Sequence, residues 1–220
     1  MALPPNPCSK EPRWQRRPED RPDEILAAAF EVFSEQGYAR ARLEDVAQRA
    51  GVSKGTLYCY FKSKDDLFRA MVRHHVVGRI AALEETIALS QATATEQIQL
   101  LLTGMWEVLY ERRFASLARL VHGELTHFPE MARFYSDEVI LRARRTMDRI
   151  IARGVERGEF RPVPHGFASR AIPMLLVQAA QMQSFFTDFD PDALTGDQTA
   201  AGARDILLYG LLARPEDTTR

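Results

Sequence analysis

Residues 43–61, LEDVAQRAGVSKGTLYCYF, constrain this chain more than any other stretch. Leu43, Val46, Ala47 and Ala50 follow the i, i+3, i+4, i+7 spacing of one buried helix face, with Glu44, Asp45, Gln48 and Arg49 opposite. Gly51 follows where a helix end wants a residue that tolerates positive φ. Val52 gives the turn an apolar plug, and Ser53 is suited to cap the next helix through its hydroxyl. Two short helices joined by such a turn make a helix-turn-helix, which places its second helix in the major groove of DNA.

The second helix can be followed at roughly 100° per residue. Leu57 and Phe61 point together, inward. The opposite face centres on Gly55 and Cys59, flanked by Tyr58 on one side and by Thr56 and Tyr60 on the other, with Lys54 in the first turn. On that face glycine allows close backbone approach. The hydroxyls of Ser53, Thr56, Tyr58 and Tyr60 can bond phosphates or base edges, and Lys54 supplies charge. A plain helical hairpin, with Tyr58 and Tyr60 merely packing, is the competing reading. Core helices seldom gather Gly, Thr, Lys and two Tyr on one side.

GVSKGTLYCYF, preceded by LEDVAQRA and followed by KSKDDLF, resembles the DNA-binding domain of the TetR/AcrR transcriptional regulators. Upstream, DEILAAAFEVFSEQGYARA resembles that domain's first helix, with Ile25, Ala28, Ala29, Val32 and Phe33 inward and Gly37 at its end. The motif spans about residues 22–71. The resemblance implies an all-α homodimer that binds double-stranded, roughly palindromic operator DNA and is released by a small ligand. It also implies that the helix after the motif shifts like a pendulum on ligand binding.

Three departures stand out. Arg42, with Arg40 nearby, occupies the place where the family has Thr or Ser. A capping hydroxyl worth about 1 kcal/mol is lost there, and phosphate contacts are offered in exchange. Cys59 stands at a variable position and is read either as a small tolerated side chain or as an oxidant-sensitive thiol. The segment before Pro22 is long for the family.

The formal net charge of −1 hides an asymmetry. Between residues 36 and 64 lie Arg40, Arg42, Arg49, Lys54, Lys62 and Lys64 against Glu44 and Asp45. A basic patch on an otherwise balanced chain suits a sequence-specific binder rather than a coat protein that is basic throughout. Residues 1–21 combine dense proline with Arg13, Arg16, Arg17 and Arg21 and read as a disordered arm, able either to reach DNA or to remain a solvated tail. Cys8 and Cys59 make no disulfide framework. No apolar run approaches the roughly 20 residues that span a bilayer, and the first residues lack a secretory core. A cytoplasmic protein with no membrane association is expected.

Domains are expected at 22–68 for the helix-turn-helix unit and at 69–213 for ligand binding and dimerisation. Ser63 and Asp66 look like a capping pair opening a helix that runs to about Ala88. Lys62 and Lys64 lie at its phosphate-facing end. Helical stripes continue from Thr95 onward, with Pro173 inside a helix and a kink expected there. The ending AGARDILLYGLL resembles the family's last helix. By that resemblance the last two helices pair with their mates, and Leu175, Leu176, Ala179, Ile206, Leu207, Gly210 and Leu211 are the candidate dimer residues. For the effector, the large or adaptable side chains Met105, Trp106, Leu109, Phe128, Phe134, Tyr135, Met174, Met182 and Phe185 suit an apolar or aromatic molecule. Gln178, His122 and Tyr135 would orient it. Ordinary core packing is the competing reading for each.

An enzyme is not expected. His122 and His127 are five apart, about 140° round a helix, where zinc hydrolases need four, and Glu124 points elsewhere again. His74 and His75 diverge likewise, and no phosphate loop or nucleophile elbow occurs. No cofactor or metal is implied. The expected function is a sequence-specific DNA-binding regulator, a repressor released by a small effector. The alternative is one controlled by a protein partner or by Cys59 oxidation.

Overall fold

The computed structural model describes residues 21–164 and 166–212; of the arm read from residues 1–21, all but Arg21, which opens the first helix, lies outside them. Among the described residues the chain is all helical apart from one isolated bridge between Phe160 and Leu212. None of the helices is long and apolar enough to cross a membrane.

α1 (Arg21–Arg40) opens the fold. Ile25, Ala28, Ala29, Val32 and Phe33 are buried as their spacing predicts. Leu26 and Phe30 are buried as well: a later helix, residues 112–123, packs on α1, with Phe114 against the Phe30 ring at 5.0 Å. The regular helix breaks at Gly37, whose φ of 81° and ψ of 167° turn the chain away. α2 (Leu43–Arg49) starts at Arg42 with no side-chain cap, as the missing hydroxyl implies. α3 (Lys54–Tyr60) is capped by Ser53, whose Oγ accepts from the Thr56 N–H at 3.0 Å.

α4 (Lys64–Val72) begins at Ser63, which accepts from the Asp66 N–H. The return bond differs from a full capping box: Asp66 accepts from the Lys62 N–H, not from that of Ser63. The single helix expected to about Ala88 is interrupted. A π-helical turn at Arg73–Val77 separates α4 from α5 (Gly78–Leu89). α6 (Ala94–Tyr110) opens on a complete Thr93/Glu96 capping box, and α7 (Arg112–Gly123) follows. After a 3-10 turn at Leu125–His127 come α8 (Pro129–Tyr135), a second π-helical turn (Ser136–Ile140) and α9 (Leu141–Glu156). α10 (Ala168–Phe186) contains Pro173, and α11 (Gly196–Leu211) completes the fold.

Two hydrophobic cores result. The first joins α1 to α4 with Phe114, Leu117 and Leu120 of α7, and with Leu125, Met131, Phe134 and Val139. The second joins Ile87 to α6, α9, α10 and α11. The first core thus extends well past residue 68. The helix-turn-helix unit does not stand on its own apolar surface alone: α7 and α8 are built into its floor.

Candidate nucleic-acid interface

α3 is anchored by one side chain and displays the rest. Leu57 is 0% exposed and Phe61 is buried just beyond the helix, while Tyr58 is 44% exposed and Gly55, Cys59 and Tyr60 also face solvent. Burying one leucine contributes roughly 2 kcal/mol, so Leu57 fixes the helix without the outer face being needed for packing. A Cβ at Gly55 would meet nothing nearer than Ser53 Oγ at 3.8 Å. The glycine is therefore not demanded by the protomer's own packing. Thr56 is half-buried, and its hydroxyl lies 2.8 Å from Ser53 Oγ.

The charged candidates divide. Lys54 pairs with Glu44, which locks the first turn of α3 to that of α2. The pair raises the lysine pKa and lowers that of the glutamate, chiefly through their hydrogen bond. Arg49 is turned inward onto Glu31 (2.9 Å) and Glu35 (2.8 Å), tying α2 to α1, so its charge is neutralised within the protomer. Lys64, expected to meet phosphate, instead donates to the carbonyls of Tyr38 (2.8 Å) and Ala39 (3.2 Å) and lies over the Tyr38 ring. Arg40 is exposed and donates to the Gln36 carbonyl. Arg42 and Lys62 are exposed. The sequence places Lys62, one residue past Phe61, with Lys64 at the helix end near the phosphates.

The effector candidates do not gather round one cavity. Trp106 lines a space of about 320 Å³ between α6, α10 and α11, together with Leu102, Thr103, Leu176, Ala200 and Arg204. Phe134 lines a separate cleft of about 590 Å³ between α4 and α8, where Arg69 and Arg73 lie over its ring at 4.9 and 5.1 Å. Met105 and Leu109 pack on the second core. Phe128 and Tyr135 pack on the first, and burial pushes the Tyr135 hydroxyl up to about 12. Phe185 lies under Arg119 at 4.1 Å. His122 is exposed, with Gln181 Nε2 3.5 Å from its Nδ1. Met174, Gln178 and Met182 are all exposed on α10, with Met174 at 71%.

The dimer candidates need a correction of the same kind. Leu176, 1% exposed, and Leu211 are buried in the protomer's own second core, so their side chains are taken up within the protomer. For α10 the reason is angular. Ile172, Leu176 and Ala180 form the inner stripe of α10 at i, i+4, i+8. Met174, Gln178 and Met182 form a stripe about 200° away. Leu175 is exposed beside that outer stripe, and Ile206 on α11 is 70% exposed. Ala179 and Leu207 pack partly on the second core, and Gly210 is half-buried.

The residues weighed for a metal site do not converge. Glu124 is turned onto the Ala39 N–H, and His127 lies beside Thr126. Among the described residues no three His, Cys, Asp or Glu side chains are placed to share an ion.

Comparison with known proteins places this geometry. Residues 25–71 match the family model of bacterial regulatory proteins of the tetR family, and residues 96–208 match that of the C-terminal domain of AefR-like transcriptional repressors. The fatty acid metabolism regulator protein of Bacillus subtilis is 30% identical over 147 residues, covering 67% of this chain and 73% of its own. The transcriptional repressor KstR2 of Mycolicibacterium smegmatis is 27% identical over 154 residues, 69% and 73% of the two chains. The solved structure of the fatty acid degradation regulator FadR from Bacillus halodurans shares the fold, with a TM-score of 0.71 at 22% identity over 91% of this chain and 100% of that one. With both halves matched and the recognition helix displayed, the chain belongs to the TetR family of helix-turn-helix transcriptional regulators.

Proposed function

We propose that this regulator is a homodimeric repressor that holds a roughly palindromic operator and releases it when a small apolar or aromatic effector binds. It works in the cytoplasm, where bacterial DNA lies. The observation that carries the reading is the recognition helix: Leu57 holds it from beneath while Lys54, Gly55, Tyr58 and Tyr60 remain exposed. Arg40, Arg42, Ser53 and Thr56 complete the DNA-facing set, with Lys62 beside it and Lys64 held against the Tyr38 and Ala39 carbonyls. Two such faces related by a two-fold axis would read half-sites about one helical turn apart.

The outer stripes of α10 and α11 support the dimer. Met174, Leu175, Met182, Ile206 and Tyr209 are exposed large apolar side chains on neighbouring helices, and such a surface calls for a partner. For the effector, the space around Trp106 falls within the roughly 300–1,000 Å³ of small-molecule pockets. Leu102 and Leu176 make its floor apolar. The names of the relatives, one a regulator of fatty acid metabolism, favour the same chemical class.

The test is a titration of labelled DNA from upstream of the protein's own gene against scrambled DNA of equal length, at two salt concentrations. A preference of roughly a thousandfold is expected, and Tyr58→Ala should reduce it by about tenfold with the dimer intact. Equal, steeply salt-dependent binding to both DNAs would show phosphate contacts alone and sink the reading for that site.

A further inference from the structure

The corner between α1 and α2 is clamped from both halves of the molecule. From the DNA-binding side, Lys64 holds the carbonyls of Tyr38 and Ala39, and the Tyr38 hydroxyl donates to Asp65. From the other side comes Glu124, the residue that closes α7. Its Oε2 accepts from the Ala39 N–H at 3.0 Å across 85 residues of sequence. The Phe128 ring meets Tyr38 edge to face at 4.8 Å.

Gly37 explains why the carboxylate fits. Its φ of 81° suits glycine, and a Cβ there would overlap Glu124 Oε1. The helix breaks at Gly37 and resumes for one turn, with the Ala41 N–H donating to the Gly37 carbonyl at 3.2 Å. Glu124 supplies a side-chain acceptor to the Ala39 amide just beyond that break. Ala39 is followed at once by Arg40, and Arg42 then opens α2.

We propose that Glu124 is a positioning residue for the DNA-binding face: through the Ala39 amide it fixes the corner that aims Arg40 and Arg42. The proposal rests on the DNA face assigned above. It gives that face a support lying outside the helix-turn-helix unit, on the helix whose other side meets α10 through Arg119 over Phe185 and His122 beside Gln181. A displacement of α7 therefore acts directly on backbone one residue from Arg40 and three from Arg42.

Two variants of similar bulk isolate the acceptor. Glu124→Met removes it, and Glu124→Gln keeps an amide oxygen in its place. Both full-length proteins, with the parent and Arg42→Ala, are titrated with the labelled upstream DNA over a series of salt concentrations. Glu124→Met is expected to bind about tenfold more weakly, with a log–log salt slope shallower by about one, the signature of a lost phosphate contact. Glu124→Gln should restore most of both. Amide exchange at Ala39 should quicken in Glu124→Met and not in Glu124→Gln, a readout independent of DNA. Parent-like affinity and slope in Glu124→Met, or equal weakening in both Glu124 variants, would overturn the proposal. If Arg42→Ala weakens binding while Glu124→Met does not, the positioning role alone fails. If Arg42→Ala itself changes nothing, the assigned face fails and the proposal goes with it.

Discussion

The first core and the second core are made of helices that disclose themselves differently. In the first, α2, α3 and α4 are short and apolar on one side only. In the second, α10 carries two apolar stripes, Ile172–Leu176–Ala180 inward and Met174–Met182 outward. A helix with one apolar stripe announces which side is buried. A helix with two announces only that both sides have work, since core, partner and ligand all select the same residue types. The same rule operates in the first core where it is broken: α1 buries Leu26 and Phe30 on a second side, and α7 packs on α1 with Phe114 against Phe30.

The sharpest way to break the comparison is to mutate neighbours on α10 and α11. Leu176→Ala should cost about 2–5 kcal/mol in unfolding free energy, as truncation of a fully buried leucine does, measured by denaturant titration. Ile206→Glu, at an exposed position, should leave the protomer folded and raise the dimer dissociation constant by at least tenfold, about 1.4 kcal/mol, read by sedimentation. A large loss of protomer stability from Ile206→Glu would mean that the two stripes had been assigned the wrong way round.

Those assignments show how far sequence reaches. The recognition helix was legible because its chemistry is local: Ser53 caps three residues ahead, Leu57 and Phe61 share a side, and Tyr58 and Tyr60 do not. The sequence offers Lys64 as a phosphate contact and gives no sign of the Tyr38 and Ala39 carbonyls it bonds, 26 and 25 residues back. Backbone acceptors leave no mark on composition. Glu124 reads from the sequence only against His122 and His127, since nothing there links it to Gly37 or to the Ala39 amide. Phe128 and Tyr135 have the bulk of pocket residues and serve the first core instead.

Helix starts offer a finer test of the one-sided half. Ser53→Ala removes the acceptor for the Thr56 amide and should cost about 1 kcal/mol. Arg42→Ser supplies the hydroxyl that α2 lacks and should gain up to about 1 kcal/mol while weakening operator binding. Thermal melts set beside DNA titrations would show the trade. If Arg42→Ser improves stability and leaves DNA affinity unchanged, the arginine is an uncapped helix start and nothing more.

The smallest effect expected lies where the two cores meet, in the π-helical turn that joins α4 to α5. His75 sits there edge-on to Phe30 at 5.1 Å, with its Nε2 buried and unpartnered. Burial, then the neighbouring His74, holds its pKa below the ordinary imidazole value, with Arg113 and Arg79 adding to the lowering and a backbone bond to Leu26 opposing it. The unfolded chain therefore takes up this proton first. Stability is full above about 6.5, the unfolded value, and declines as pH falls from there through the lower folded pKa. Carboxylates such as Glu84 follow later. Burial works against its ionisation, but hydrogen bonds from Arg142 and Thr146 hold its pKa below the usual range. Its contribution is lost only as pH falls below about 4.3. Stability measured between pH 7 and 5.5 should thus slope less in His75→Gln than in the parent, by an amount smaller than the loss of a cap. Parallel slopes would place the proton uptake elsewhere and leave the junction between the cores indifferent to pH.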